Sequence, residues 1–216
     1  MPGGQGARME KDSAFLIFIA LVVVMLGLSA WAGTVARKKV RARLSALAAR
    51  LGFTFVPGTG WFGAPRITGM MRGKQVEVFT FTTGAGKSRK TWAAASARTA
   101  TPVRLTWVIS PRGFATKVRV FFGAKGIATG DPAFDGRWFV QTNNPEFLRA
   151  ALLPELRAKI DAVSGGRAKG EFRLEGGVVR YAEQGGFGGE RCDRYEALPP
   201  VLCDLADVAE VEAACK

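Results

Sequence analysis

The sequence predicts an α+β protein in which an N-terminal transmembrane helix precedes an antiparallel, β-rich sheet with flanking helices. Three observations lead to this prediction. Residues 14–36 form an uncharged, apolar run. From residue 53 onward, short runs of alternating apolar and polar residues recur between glycine, proline and serine clusters, as they do in strands. Other segments place apolar residues at helical spacing.

The run 14–36 has the length and composition of a membrane-spanning helix. About 20 apolar residues cross the hydrocarbon core of a bilayer, so this run can span it once. A secretory signal peptide has a basic start and a shorter apolar core of roughly 7–15 residues, whereas the charges of residues 1–13 cancel. We therefore expect an uncleaved anchor behind a short N-terminal tail, 1–13.

The basic residues behind the span predict its orientation, because lysine and arginine beside a span stay on the cytoplasmic side. Five of them follow directly: Arg37, Lys38, Lys39, Arg41 and Arg43. The expected location is the cytoplasmic membrane, with the N-terminus outside and the soluble domain in the cytoplasm. Residues 37–51 are predicted as a basic amphipathic juxtamembrane helix, and residues 52–216 as the soluble α+β domain.

Within the soluble domain, an antiparallel sheet of about seven to nine strands is expected. The predicted strands cover residues 53–56, 66–72, 75–83, 91–97, 103–109, 118–122, 137–142, 172–174 and 178–181. Gly73-Lys74 and Gly176-Gly177 are the expected turns of two hairpins. Asn144 and Pro145 predict a helix start, and Pro154 should kink or restart that helix. A last helix is expected from Pro199 to Cys215.

The charge is distributed unevenly along the chain, whose formal net charge is +13. Residues 37–130 hold 18 lysines and arginines and a single acid, Glu77, whereas residues 131–216 hold 11 bases and 15 acids. Such asymmetry indicates an anionic partner. For a tethered domain, anionic lipid headgroups are the nearest candidates, and a protein is another. Nucleic acid is not the expected partner. The alternative is that the excess of basic residues has no function and reflects a GC-rich genome, which supplies arginine codons freely.

The candidate anionic-surface contacts are the bases behind the span and those in the loop GAGKSRK: Arg37, Lys38, Lys39, Arg41, Arg43, Lys87, Arg89 and Lys90. The sequence Thr83 to Ser88 ends in the Gly-Lys-Ser of a phosphate-binding loop. That loop needs an earlier glycine where Phe81 stands, and a helix must follow it. Strand-like sequence follows here, so a hairpin tip is predicted instead.

No catalytic constellation is visible, and the chain is not expected to be an enzyme. Histidine is absent, which excludes Ser-His-Asp and Cys-His catalysis and histidine-ligated zinc. The three cysteines, Cys192, Cys203 and Cys215, lack metal-site spacing and are expected as free thiols. We predict no cofactor and no metal site.

Two weaker alternatives remain open. Asp131 and Asp135 flank an Asp-Pro turn and could, together with Glu77, serve a histidine-independent enzyme. The interleaved aromatic and basic residues Trp92, Arg104, Trp107, Arg119 and Phe121 could form a nucleic-acid stacking face. For both sets, ordinary structural roles in turns and in the core are the preferred interpretation.

Three segments resemble a class of bacterial membrane-anchored proteins of unknown function. They are residues 46–56 at the entry into the domain, residues 69–93 in the first hairpin, and residues 127–156 with their strand pair and Leu-Leu-x-Pro element. The resemblance implies a single-pass protein of the bacterial inner (cytoplasmic) membrane with an uncharacterised soluble domain, and it supplies no active site.

The function predicted from the sequence is a non-enzymatic binding or scaffold domain, held at the cytoplasmic membrane surface through its basic half. The alternatives are the membrane-tethered enzyme and an envelope-complex assembly component. The assembly component would dock through an exposed apolar stripe on the last helix.

Overall fold

The computed structural model describes residues 38–58, 63–112, 125–165, 169–188 and 191–215, together with four separate positions, Val22, Val24, Met25 and Thr34. The chain divides into two compact units, Met1–Ala42 and Arg43–Lys216. Most of the apolar run 14–36 lies outside the described residues. Among the helices that the structure does describe, none is long and apolar enough to cross a membrane.

The first described helix, α1, covers residues 38–51, and from Arg43 onward it belongs to the second unit. Leu44, Leu47 and Ala48 recur at the predicted helical spacing and are buried. Gly52 ends the helix in a left-handed conformation (φ 67°). All the described apolar residues that are buried lie in the unit Arg43–Lys216, which therefore contains its own core.

The second unit has the α+β architecture predicted from the sequence. Its strands are β1 (Thr54–Val56), β2 (Arg66–Met71), β3 (Lys74–Thr83), β4 (Lys90–Arg98), β5 (Trp107–Pro111), β6 (Lys125–Ile127), β7 (Trp138–Thr142), β8 (Glu171–Glu175) and β9 (Val178–Gln184). Its remaining helices are α2 (Pro132–Arg137), α3 (Pro145–Ala151), α4 (Pro154–Val163) and α5 (Arg191–Ala214).

These nine described strands form one sheet in the order β1-β2-β3-β4-β9-β8-β5-β7-β6. Every described pairing is antiparallel. The first four strands run as a meander. The hairpin β8–β9 lies in the middle of the sheet and joins β4 to β5.

The two faces of the sheet have different environments. Helix α5 contacts β4, β9, β2 and β3 on one face, which we call the helix face. There β4 presents three fully buried alanines, Ala93, Ala95 and Ala97, whose small side chains let the helix approach closely. The opposite face of β2, β3, β4 and β9 carries charged and polar side chains together with three half-buried aromatic residues, Phe79, Phe81 and Trp92. We call this the open face.

Several local predictions are confirmed by the structure. The predicted hairpin β2–β3 forms, but its turn is shifted by one residue. Arg72 and Gly73, at φ 54° and 76° as a two-residue turn of type I′ requires, take the place of the expected Gly73-Lys74, and Lys74 is the first residue of β3. Asn144 caps α3 by accepting from the backbone N of Phe147 at 3.3 Å. Pro154 begins a new helix, α4, rather than kinking α3.

Other elements differ from the sequence predictions. β5 begins at Trp107 instead of residue 103, and the predicted strand 118–122 lies outside the described residues. The Asp131 turn opens into the short helix α2. The last helix begins at Arg191, so Pro199 and Pro200 lie inside it. These prolines deprive two carbonyls of helical donors, but Leu198 and Leu202 are fully buried and hold the helix against the sheet.

Candidate anionic-surface site

The loop between β3 and β4 is a tight hairpin tip. A single 3₁₀ turn, Gly86–Ser88, is closed by hydrogen bonds from Ser88 N to Ala85 O (3.1 Å) and from Arg89 N to Gly86 O (3.2 Å). Gly84 has φ 78°, and a Cβ atom there would lie 2.5 Å from the carbonyl oxygen of Ser88. Strand β4 resumes at Lys90, so no helix follows to face a phosphate, and the loop is not a nucleotide-binding P-loop.

Three cations project from this tip. Lys87, Arg89 and Lys90 are all exposed. Across the described ranges, no carboxylate lies within ion-pair distance of any of them. Their positive charge is therefore available to an external anion.

Elsewhere, the acids of α5 neutralise part of the basic half. Arg50 pairs with Asp193 and Glu196, Arg72 with Asp204 and Asp207, and Lys74 with Asp207 and Glu210. Lys159 of α4 adds a further contact to Asp204 at 2.8 Å. The acidic C-terminal half thus neutralises cations near α5 and leaves the hairpin tip charged.

The other predicted contacts are distributed over both units. Arg37 lies outside the described residues. Lys38, Lys39 and Arg41 belong to the first unit and are exposed, and Arg43 is exposed in the second. The hairpin tip is therefore the part of the predicted set that the second unit itself brings together.

The proposed carboxylate triad does not converge. Asp131 caps α2 by accepting from Ala133 N (3.0 Å) and Phe134 N (3.2 Å), and the bond from Phe134 N is the main cause that lowers the pKa of Asp131. Asp135 accepts from the backbone N and hydroxyl of Thr129. Glu77 lies on β3, five strand positions from β7, which is roughly 24 Å at about 4.8 Å per strand. The described residues contain no cluster suited to a metal ion.

The aromatic and basic residues considered for nucleic-acid stacking are also separated. Trp107 is buried on the helix face, whereas Trp92 is half-buried on the open face. Arg104 is exposed before β5, and Arg119 and Phe121 lie outside the described residues. Because successive side chains of a strand point to opposite faces, the strand register places the two tryptophans on opposite sides of the sheet.

The sequence did not predict a groove on the open face, which encloses about 370 Å³ between β3, β4, β9 and β8. Phe81 and Trp92 stack in it with ring centroids 6.2 Å apart and an interplanar angle of 10°. Arg173 on β8 and Arg180 on β9 are directly opposite each other and line the same groove. Alternation in the sequence assigns each residue to a face, but the groove exists only because β9 pairs with β4.

A polar cluster is buried on the helix face near the start of α5. The side chain of Glu183 is 3% exposed, and its Oε2 atom lies 2.6 Å from Nη1 of Arg194. Tyr181 and Tyr195 are fully buried beside it, and burial raises the pKa of both phenols. Burial also raises the pKa of the Cys192 and Cys203 thiols, whereas Cys215 is exposed.

Comparison with known proteins supports the fold alone. No protein-family model matches the chain, and no curated protein matches it. Among solved structures, the chain is similar to the crystal structure of the mycobacterial trehalose monomycolate transport factor A, TtfA, with a TM-score of 0.53 and 13% sequence identity. The similarity covers 78% of this chain and 93% of the TtfA chain.

Proposed function

We propose that this chain is a single-pass, membrane-anchored binding protein without catalytic activity, whose second unit contacts an anionic membrane surface through the β3–β4 hairpin tip. The observation that carries the proposal is the exposure of Lys87, Arg89 and Lys90 without an acidic partner in the described structure. The cations near α5, by contrast, are paired.

Aromatic residues beside the tip add to this argument. Trp92 follows Lys90 by two residues, is half-buried, and donates from Nε1 to Thr83 Oγ1 at 2.8 Å. Tryptophan is favoured at the membrane–water interface, where its ring contacts acyl chains and its N–H stays hydrogen-bonded. A cationic tip backed by Trp92 and Phe81 has the composition of such a contact.

The energetics assign the tip an orienting role rather than an anchoring one. Each basic residue near an anionic leaflet contributes about 1 kcal/mol, so three of them give weak binding on their own. If residues 14–36 hold the chain in the inner membrane, the tip acts at high effective concentration, and weak contacts suffice to orient the cytoplasmic domain.

The proposal is tested by co-sedimentation of residues 43–216 with vesicles, since this unit contains its own core. The test variant is K87A/R89A/K90A. The matched control is R66A/R98A/R104A, which removes three exposed bases without acidic partners in the described structure. Cooperative thermal unfolding verifies that each protein is folded.

We expect the wild type and the control to bind vesicles containing phosphatidylglycerol, and the tip variant to bind several-fold less. Binding should fall with added salt. An equal loss of vesicle binding in the two variants would show that the net charge of the protein acts, and not the hairpin tip. Equal binding of the wild type to phosphatidylcholine and phosphatidylglycerol vesicles would show that an anionic surface is not required. Preferential binding of an oligonucleotide by the hairpin tip would replace the lipid surface with nucleic acid.

The assembly alternative loses the feature on which it depended. Most apolar residues of α5 are buried against the chain's own sheet, and of the large apolar side chains that the structure describes on this helix, only Val211 is exposed (55%). A role in transport, which the name of TtfA gives to that protein, is a second candidate. The shared fold is the observation that favours it.

A further inference from the structure

We infer that the groove on the open face binds a single-chain acyl anion, with its acidic head at Arg180 and its chain along Ala182 towards Phe81 and Trp92. This site shares Phe81 and Trp92 with the flank of the hairpin tip, but it uses none of the three tip cations and does not depend on membrane binding. Its volume of about 370 Å³ lies in the range of small-molecule sites, roughly 300–1,000 Å³.

The floor of the groove is apolar at one end. Phe81 and Trp92 face each other across β3 and β4, and Trp92 pairs with Gln184 of β9. The single polar atom of the Trp92 ring already donates to Thr83. Both rings are half-buried on a face that no described helix covers, so an acyl chain lying there would remove apolar surface from water.

The other end of the groove is cationic. Arg173 and Arg180 are directly opposite each other on the same face, an arrangement in which like charges repel. Arg173 donates to Glu171 at 3.0 Å and lies 3.8 Å from Glu175. Arg180 is exposed and, within the described structure, has no acidic partner. Lys169, two residues before Glu171, lines the same groove at its other end, near Gln184. An anion bound at Arg180 would offset the repulsion.

The distance between the two ends favours a chain over a compact ion. Arg180, Ala182 and Gln184 lie on the same face of β9, so the cationic and aromatic ends are about 13 Å apart at roughly 3.3 Å per residue. Inorganic phosphate would fill only the head position. An acyl chain with an anionic head complements both ends together.

The test uses residues 43–216 and the brominated fatty acid dibromostearate below its micelle concentration, because bromine quenches a tryptophan that it contacts. Trp107 and Trp138 are buried on the helix face, and every protein in the test carries Trp61→Phe. Trp92 is then the reporter of the groove, and Trp92→Phe should remove most of the quenching. We expect Arg180→Gln to bind about tenfold more weakly, since a hydrogen bond to a charged group is lost. Arg66→Gln is the matched control on the same face and should bind like the wild type.

The outcomes separate this inference from the proposed function. K87A/R89A/K90A should retain dibromostearate binding even where it loses vesicle binding. Equal affinity of R180Q and R66Q, equal quenching by the methyl ester, or displacement of the probe by inorganic phosphate at matched concentration would each overturn the inference. Quenching by brominated phosphatidylglycerol vesicles but not by monomeric dibromostearate would also overturn it, because the ligand would then be the bilayer surface.

Discussion

The Nζ atom of Lys74 lies 2.9 Å from each carboxylate oxygen of Glu210, although 135 residues separate the two in sequence. The Lys74 side chain is only 4% exposed, and Asp207 at 2.8 Å is its second partner. Glu210 also accepts from the backbone N of Ala100 at 2.6 Å. The pair therefore ties the β2–β3 turn and the segment after β4 to α5.

Glu210→Ala should lower the free energy of unfolding by about 1–3 kcal/mol, because the buried ammonium of Lys74 loses one of its two acidic partners and the backbone N–H of Ala100 loses its acceptor. Glu196→Ala is the matched control. Its pair with Arg50 (3.0 Å) joins side chains that are 46% and 40% exposed, so its loss should cost less than about 1 kcal/mol. Denaturant midpoints measure both. Similar losses of unfolding free energy in the two variants would show that the burial of Lys74 does not strengthen its pairing with Glu210.

Stability should fall at acid pH. Burial opposes ionisation of Asp204, but hydrogen bonds from Lys159 and Arg72 outweigh it and lower the pKa. Lys74 and the Ala100 N–H likewise lower the pKa of Glu210 against its burial. A lowered folded-state pKa gives stability that is present above the unfolded value, about 4, and lost as the pH falls through the folded value.

Stability should also fall at alkaline pH. Burial raises the pKa of Cys203 and of Tyr195. Burial acts to lower the pKa of Lys74, but the contacts with Asp207 and Glu210 outweigh it, so the pKa of Lys74 is raised as well. A raised folded-state pKa gives stability that is present below the unfolded value and lost as the pH rises above it. Since the chain has no histidine, thermal melts between about pH 5 and pH 8 should agree closely. A clear change in melting temperature between these two pH values would contradict these assignments.

Tyr195→Phe should leave stability unchanged or raise it. The Tyr195 hydroxyl is buried without a hydrogen-bond partner in the described structure, and such a group costs about 1–3 kcal/mol. Phenylalanine keeps the ring contacts with Tyr181 and Phe187, whose centroids lie 6.1 and 4.9 Å away. Tyr195→Ala removes them and should cost about 3–5 kcal/mol. A large loss in the phenylalanine variant, measured by denaturant unfolding, would reveal a bond to the hydroxyl.

Cys215 should react with a thiol reagent far faster than Cys192 and Cys203. Cys215 is exposed, and burial both shields the other two thiols and raises their pKa. Titration of the folded chain with the reagent should show one rapidly reacting thiol, and denaturation should make the two remaining thiols reactive. Cys215→Ser should abolish the fast phase. Two fast equivalents in the folded protein would place a second thiol at the surface.

Local pattern was sufficient to predict much of the fold. Alternation located β3 and β4, and the glycines at 73 and 176–177 located two hairpins. Helical spacing identified the buried residues of α1, Leu44 and Leu47. In each case the information lies within a few residues, where periodicity and turn chemistry act.

Features that depend on distant pairing were not predictable in this way. Lys74 was expected in a turn, and its burial is possible only because α5 supplies Asp207 and Glu210. The start of α5 was misplaced because Pro199 resembles a helix start, while tertiary packing sustains the helix on both sides of it. The opposition of Arg173 and Arg180 needs the register of β8 and β9, and the groove also needs β4 beside β9.

The central position of the late hairpin β8–β9 has a consequence for synthesis on the ribosome. The meander β1–β4 emerges first, but the far edge of its nine-residue strand β4 stays unpaired until Val178–Gln184 has been translated. An uncovered edge of this length invites pairing with other chains, and such long-range closure is slow. A chaperone that shields β4 during this interval should raise the yield, and slower translation between residues 98 and 184 should lower it.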